Sequence, residues 1–215
     1  MVLKLYGFPS LTCTKTVRCV LEELNVPYEV IVVDIFKGEH KTRAFKAKQP
    51  FGLVPYIDDD GFILYESRAI CRYIALKYGG VGTLMPDPAD VRKTALFEQA
   101  ASVEEHNFDR AAYGLVHEEH FKNLWGDEGA VSVEILEHYR TALESKLEGY
   151  ESILSKQKYI AGDEFSLVDI FHLFYGSLLT DAGFDYLRSK RYPNIARWWR
   201  DISKRPSWLK VRAQV

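Results

Sequence analysis

The stretch from Gln49 to Ile74, QPFGLVPYIDDDGFILYESRAICRYI, constrains this chain more than any other. Pro55 has no N–H to give a sheet, so it stands where a strand begins. Val54-Pro55 is also of the one peptide type for which a cis bond costs little. Tyr56-Ile57 and Phe62-Ile63-Leu64 flank Asp58 to Gly61, a turn sequence between two apolar runs, which predicts a hairpin. Ser67 follows as a helix N-cap, its hydroxyl accepting one of the free backbone N–H groups. Ile70, Cys71, Ile74, Ala75 and Tyr78 then recur at helical spacing. A proline-led strand, a hairpin and a polar helix start form half of a peptide-binding notch. The backbone of Val54 can pair with an extended peptide, and a carboxylate can sit at the helix N-terminus, where N–H groups and the dipole favour an anion. A hairpin and helix with no ligand accounts for the same residues, and this stretch alone leaves both readings open.

Composition narrows the class. The 215 residues are enough for one large domain or two small ones. Apolar residues make up 47% and charged residues 27%, which fits a globular chain and argues against disorder. The net charge of -2 shows no electrostatic footprint for nucleic acid or an anionic membrane. No apolar run approaches the ~20 residues of a membrane span. The opening MVLKLYG enters a strand pattern at once and reads as lacking a signal peptide. Three cysteines, Cys13, Cys19 and Cys71, form no CxxC pair, which fits a reducing, cytoplasmic setting rather than a disulfide scaffold.

Taken in order, Val2 to Tyr6 reads as a strand, and Phe8-Pro9-Ser10-Leu11 as a loop into a helix from Thr12 to Leu24 with Val17, Val20, Leu21 and Leu24 on one face. Glu29 to Val33 is a continuous β-branched run of the kind buried on both faces. Asp34 to Lys48 is polar and irregular, with Phe36 its lone large apolar residue. After the hairpin and helix, Gly79-Gly80-Val81-Gly82 and Pro86-Asp87-Pro88 punctuate a linker. The expected division is therefore 1–79, a linker 80–89, and 90–215, all helical. Val131 to Leu154 carries apolar residues at spacings of three and four. Ser166 and Asp169 form a capping-box start, with Phe165 and Ile170 in the staple positions. Leu167 to Leu179 is apolar nearly all round and should be the core helix. Pro193 begins a last helix with Trp198 and Trp199, which Arg205-Pro206 should end.

PFGLVP followed by LYESRAICRYIA closely resembles the glutathione site of glutathione transferases, in wording nearest the phi class and its fungal relatives. GDEFSLVDI and RWWRDISKRPSW resemble further motifs of that family, so the likeness runs over nearly the whole chain. It implies an α/β thioredoxin-like domain followed by an all-α domain, in a homodimer with Phe51 inserted into the partner. It also implies glutathione as co-substrate, conjugated to small hydrophobic electrophiles, with no metal. Glu66 and Ser67 match the binders of the γ-glutamyl end, where the acid pairs the ammonium and the helix start the carboxylate. His40 and Lys41, in KGEHK, match the pair that holds the glycine carboxylate. Leu53, Val54 and Pro55 match the segment whose backbone pairs with the cysteinyl unit. Leu11, Phe36, Tyr113, His117, His120 and Phe121 are the candidates for an apolar second-substrate site, implied to lie between the domains.

Two positions depart from the family pattern. Leu53 stands where a Gln is usual. Counting five residues from Tyr6, or six back from Val17, the catalytic Ser position is Leu11. Such a hydroxyl hydrogen-bonds the sulfur and favours the nucleophilic thiolate. A bond to a charged group contributes about 1.5–3 kcal/mol, or about 1–2 units of thiol pKa. Three neighbours could replace it: Ser10, Thr12 and Cys13. The bland alternatives are a turn residue for Ser10, an N-cap for Thr12 and packing for Cys13. Cys13 as nucleophile would give thiol-transferase chemistry. Leu11, Leu53 and Thr16, which stands where the family usually has Arg, also suit a ligandin, a carrier of hydrophobic molecules that keeps the glutathione notch.

Overall fold

The computed structural model describes residues 2–122 and 131–213. Its contacts group the chain into two compact units, one from the N-terminus through Met85 together with the segment starting at Pro206, the other Pro86–Arg205.

The first unit holds β1 (Leu3–Gly7), α1 (Thr12–Glu23), β2 (Tyr28–Val32), a 3-10 turn (Glu39–Lys41), α2 (Arg43–Lys46), β3 (Tyr56–Asp59), β4 (Phe62–Tyr65) and α3 (Ser67–Lys77). The four strands form one sheet in the order β2-β1-β3-β4, with β1 and β2 parallel and the other pairs antiparallel. Leu3, Leu5 and Ile57 are buried, as are Val17, Val20 and Leu21 of α1 and Ile70 and Ile74 of α3, and the two helices pack together. Phe45 of α2 anchors a second cluster, with Val33 and Tyr56. Tyr56 stacks on Tyr6 at 4.5 Å between centroids.

Four local expectations are corrected. The run 29–33 is not buried on both faces: among the described residues β2 pairs only with β1, and Val32 is 57% exposed. β-branched residues suit an edge strand as well as a central one. The hairpin turn is tighter than Asp58 to Gly61. It is the two residues Asp60-Gly61, both at positive φ, as a right-twisted hairpin requires. The segment 34–48 is not irregular throughout; Thr42 caps α2 by accepting from Phe45 N at 3.3 Å. Pro206 does not close the last helix. A helix over Pro193–Ile202 ends before it, and Pro206 opens a further one, Pro206–Ala213, because its missing N–H costs nothing at a first helical position. That final helix packs on α1, with Lys210 Nζ 2.6 Å from Glu22 Oε2.

The second unit is helical among the described residues. It contains α4 (Val91–Glu104), a π-type turn (Glu105–Asp109), α5 (Arg110–Val116), a second π-type turn (His117–Phe121), α6 (Val133–Leu154), α7 (Leu167–Asp181), a 3-10 turn (Asp185–Arg188) and α8 (Pro193–Ile202), with α9 (Pro206–Ala213) belonging to the first unit. Helix α7 is its core: every residue from Leu167 to Phe174 is buried. The capping box forms as expected, and Asp169 also accepts from Ile160 N at 3.2 Å and Trp198 Nε1 at 2.8 Å. No helix among the described residues is long and apolar enough to cross a membrane.

Candidate functional site

Strand register assembles the site. Tyr6 pairs with Tyr56, and Tyr56 with Tyr65. One step further along the sheet, Gly7, Pro55 and Glu66 therefore arrive at the same end. A Cβ placed on Gly7 would lie 3.3 Å from Pro55 Cβ, so the end of β1 and the start of β3 are in close approach. The loop 8–11 leads from that end into α1, and β4 leads from it into α3. Two helix N-termini thus start at one sheet end, each bringing free N–H groups.

Among the described residues, neither N-cap residue closes its helix with a side-chain hydrogen bond. At α1 the N-cap position is Leu11, in extended conformation, which has no acceptor to offer. Thr12 and Cys13 are the first two helical residues, so of the two alternatives for Thr12 the N-cap is not the one seen; its hydroxyl lies 3.7 Å from Cys13 Sγ. Ser10 sits in the half-buried loop before them. At α3 the N-cap position is Glu66, not Ser67, and Glu66 makes no capping bond. Ser67 becomes the first helical residue instead. Glu66 is held at φ 71, ψ 110, an uncommon conformation for a residue with a Cβ, which costs about 1–3 kcal/mol. The two uncapped ends leave N–H groups and positive dipole ends at this edge of the sheet, where anionic groups are favoured.

The Val54-Pro55 peptide is cis. Beside it, Leu53 is 54% exposed and its N–H is held by the buried Gln49 amide oxygen at 2.9 Å. Gly52 has φ 62, and a Cβ there would come within 2.8 Å of the His40 carbonyl. Lys41 Nζ donates to the Gly52 carbonyl at 2.7 Å. His40 and Lys41 thus lie against the segment 52–54. Burial, then the charges of Lys41 and Lys46, holds the His40 imidazole below its ordinary pKa, and its Nδ1 is buried with no hydrogen-bond partner among the described residues. Gln49 and Gly52 were not singled out from sequence, though the polar Gln49 just before the PFG motif was a usable signal.

The remaining candidates are described unit by unit. Phe36, in the first unit, is exposed and meets Phe8 edge-on at 5.6 Å. In the second unit Tyr113 is exposed, and its ring lies 5.4 Å from His117. His120 is exposed and Phe121 half-buried on the same turn. Cys19 and Cys71 are buried, and burial pushes the Cys71 thiol well up. Among the described residues no group of His, Cys, Asp or Glu side chains could hold a metal.

Comparison with known proteins bears on all of this. Residues 1–76 match the glutathione S-transferase N-terminal domain and residues 131–206 the C-terminal domain. Glutathione S-transferase PM239X14 from Arabidopsis thaliana is 43% identical over 93% of this chain and 90% of its own length. The crystal structure of glutathione transferase F7 from Populus trichocarpa has a TM-score of 0.90 at 37% identity, covering 99% of this chain and 98% of its own. Glutathione S-transferase I from mais, solved with an atrazine glutathione conjugate, has a TM-score of 0.90 at 29% identity over 99% of this chain and 97% of its own. With both family domains matched, and phi-class enzymes among its relatives, the chain belongs to the glutathione S-transferase family: it is a glutathione transferase, with glutathione as co-substrate.

Proposed function

We propose that this enzyme transfers the glutathione thiolate to hydrophobic electrophiles, and that Thr12 takes the role vacated at Leu11. The supporting observation is that α1 starts at Thr12 with no side chain capping it. The Thr12 hydroxyl is therefore uncommitted as a cap, and it stands beside the free N–H groups of the first turn. A sulfur anion seated there receives the hydroxyl hydrogen bond and the helix dipole together. Glu66 and Ser67 take the γ-glutamyl end, the Val54 backbone takes the cysteinyl unit, and His40 and Lys41 take the glycine carboxylate. Leu11 and the exposed Phe36 offer the electrophile apolar contact. Ser10 is the fallback donor. The test is steady-state conjugation of a chlorinated dinitroaromatic by Thr12→Val and Ser10→Ala. A slowed Thr12→Val with an upward-shifted kinetic pKa supports the reading. An unaffected Thr12→Val rejects it. Strong binding of a hydrophobic dye by wild type with no turnover makes the chain a ligandin.

The closeness of Thr12 Oγ1 to Cys13 Sγ favours one second reading. A Cys13 thiolate attacks a glutathione mixed disulfide, releases the substrate thiolate and becomes glutathionylated; a second glutathione thiolate then attacks that bond and leaves as oxidised glutathione. Equal disulfide-reducing rates for Cys13→Ser and wild type would end this reading. The exposure of Phe51, 64%, is what supports its insertion into a second copy in a homodimer. Three free cysteines support a cytoplasmic setting.

A further inference from the structure

Arg18 lies within α1 at 5% exposure, inside a run of five buried residues from Val17 to Leu21. A buried guanidinium is costly unless its donors are met. Here Nη1 donates to the Pro9 carbonyl at 3.4 Å and Nε to the Tyr28 hydroxyl at 3.3 Å. Tyr28 in turn donates to Glu22 at 2.9 Å, and Glu22 pairs with Lys210 of α9. Proline has no N–H, so the carbonyl is the one backbone bond Pro9 can make. The loop 8–11 is also tied by Leu11 N to the Phe8 carbonyl, 3.1 Å, by Lys15 N to the Leu11 carbonyl, 2.9 Å, and by the edge contact of Phe8 with Phe36. The Lys15 bond holds the last residue of the loop to the first turn of α1, while the Arg18 bond reaches two residues further back, to Pro9.

We infer that Arg18 is a positioning residue for the thiolate: its guanidinium holds the Pro9 carbonyl, and so fixes where the loop 8–11 delivers Ser10, Leu11 and Thr12 to the uncapped start of α1. The planar fork reaches Pro9 and Tyr28 at once, which a single ammonium on the same stem does not. The inference rests on the reading that the sulfur sits at that helix start. Arg18 touches no substrate; it acts through the loop.

The experiment compares Arg18→Met, Arg18→Lys, Tyr28→Phe and Thr12→Val in the full chain, with glutathione varied against a chlorinated dinitroaromatic across the neutral pH range. Misplacing reacting groups by a fraction of an ångström costs about tenfold or more in rate. Arg18→Met is therefore expected to lower kcat about tenfold and to shift the kinetic thiol pKa upward, with a smaller change in KM for glutathione. Arg18→Lys shows a milder loss of the same kind, and is the readout should Arg18→Met not fold. Unchanged kcat and pH profile in a folded Arg18 variant overturns the inference. So does a pKa shift of equal size in Tyr28→Phe, because that shift would come from general packing. If Thr12→Val is silent while Arg18→Met moves both kcat and the profile, the hydroxyl assignment fails and the clamp stands.

Discussion

Lys41 Nζ donates to the carbonyl of Gly52 at 2.7 Å, so the turn carrying His40 is tied to the loop carrying Leu53 and Val54. On the proposed reading that Lys41 faces the glycine carboxylate, one ammonium both holds the loop and supplies positive charge to the ligand. A charged hydrogen bond is worth about 1.5–3 kcal/mol, so Lys41→Met should raise the KM for glutathione about tenfold, with kcat within about twofold. Initial rates against glutathione concentration check it. An equal fall in kcat would mean that Lys41 acts on the chemistry instead.

Gly52 has no room for a side chain. Its φ is 62, and an added Cβ would meet the His40 carbonyl at 2.8 Å. Gly52→Ala should destabilise the first unit by about 1–3 kcal/mol and weaken glutathione binding, because the wall must shift. Urea unfolding and calorimetric titration measure the two effects.

Asp59 gives the chain a specific acid sensitivity. It is buried, and its Oδ2 accepts from Tyr73, Lys77 and Tyr78 at 2.7, 2.7 and 2.8 Å. Burial works to raise its pKa, but these donors, Lys77 first, outweigh burial and hold it below the usual carboxylate range. A depressed folded pKa contributes stability that is full above the unfolded value of about 4 and is lost as pH falls through the lower folded value. Asp59→Asn should therefore lower Tm at neutral pH, with the gap to wild type closing below about pH 4. A gap that widens on acidification would refute this.

Asp169 is the hub of the helical unit. It accepts from Ser166 N, Ser166 Oγ, Ile160 N and Trp198 Nε1, all in the core. Asp169→Ala removes the capping-box acid and leaves buried donors unmet, at a cost of about 3–5 kcal/mol. Chemical denaturation followed by Trp fluorescence reads this directly.

The sequence was most legible where local chemistry and fold agree. The hairpin, the capping box at Ser166 and the apolar α7 follow from turn residues and periodicity, which act within a few residues. It was less legible at element ends. Ser67 and Thr12 have cap chemistry, yet each falls one position inside its helix. Strand pairing and the loop before each helix set where the helix starts, and a side chain cannot set that alone. The β-branched run of β2 reads as interior, but whether a strand has one neighbour or two depends on segments distant in sequence.

The residues that tie the candidate site together show the same limit. Gln49 and Arg18 are polar residues for whose burial the pattern of the chain gives no reason. Only when Leu53, Pro9 and Tyr28 are brought to them do their donors and acceptors acquire roles.

By itself, then, the sequence determined the family and the two-part architecture, and it supplied the residues proposed here for glutathione, because these are carried by short motifs and residue periodicity. Tertiary structure alone decided that two uncapped helix starts share one end of a sheet, that the C-terminal helix belongs with the first unit, and that a buried arginine holds the loop leading into the first of those helices. Those are matters of register and long-range packing, and no spacing along the chain encodes a distance between segments that meet only on folding.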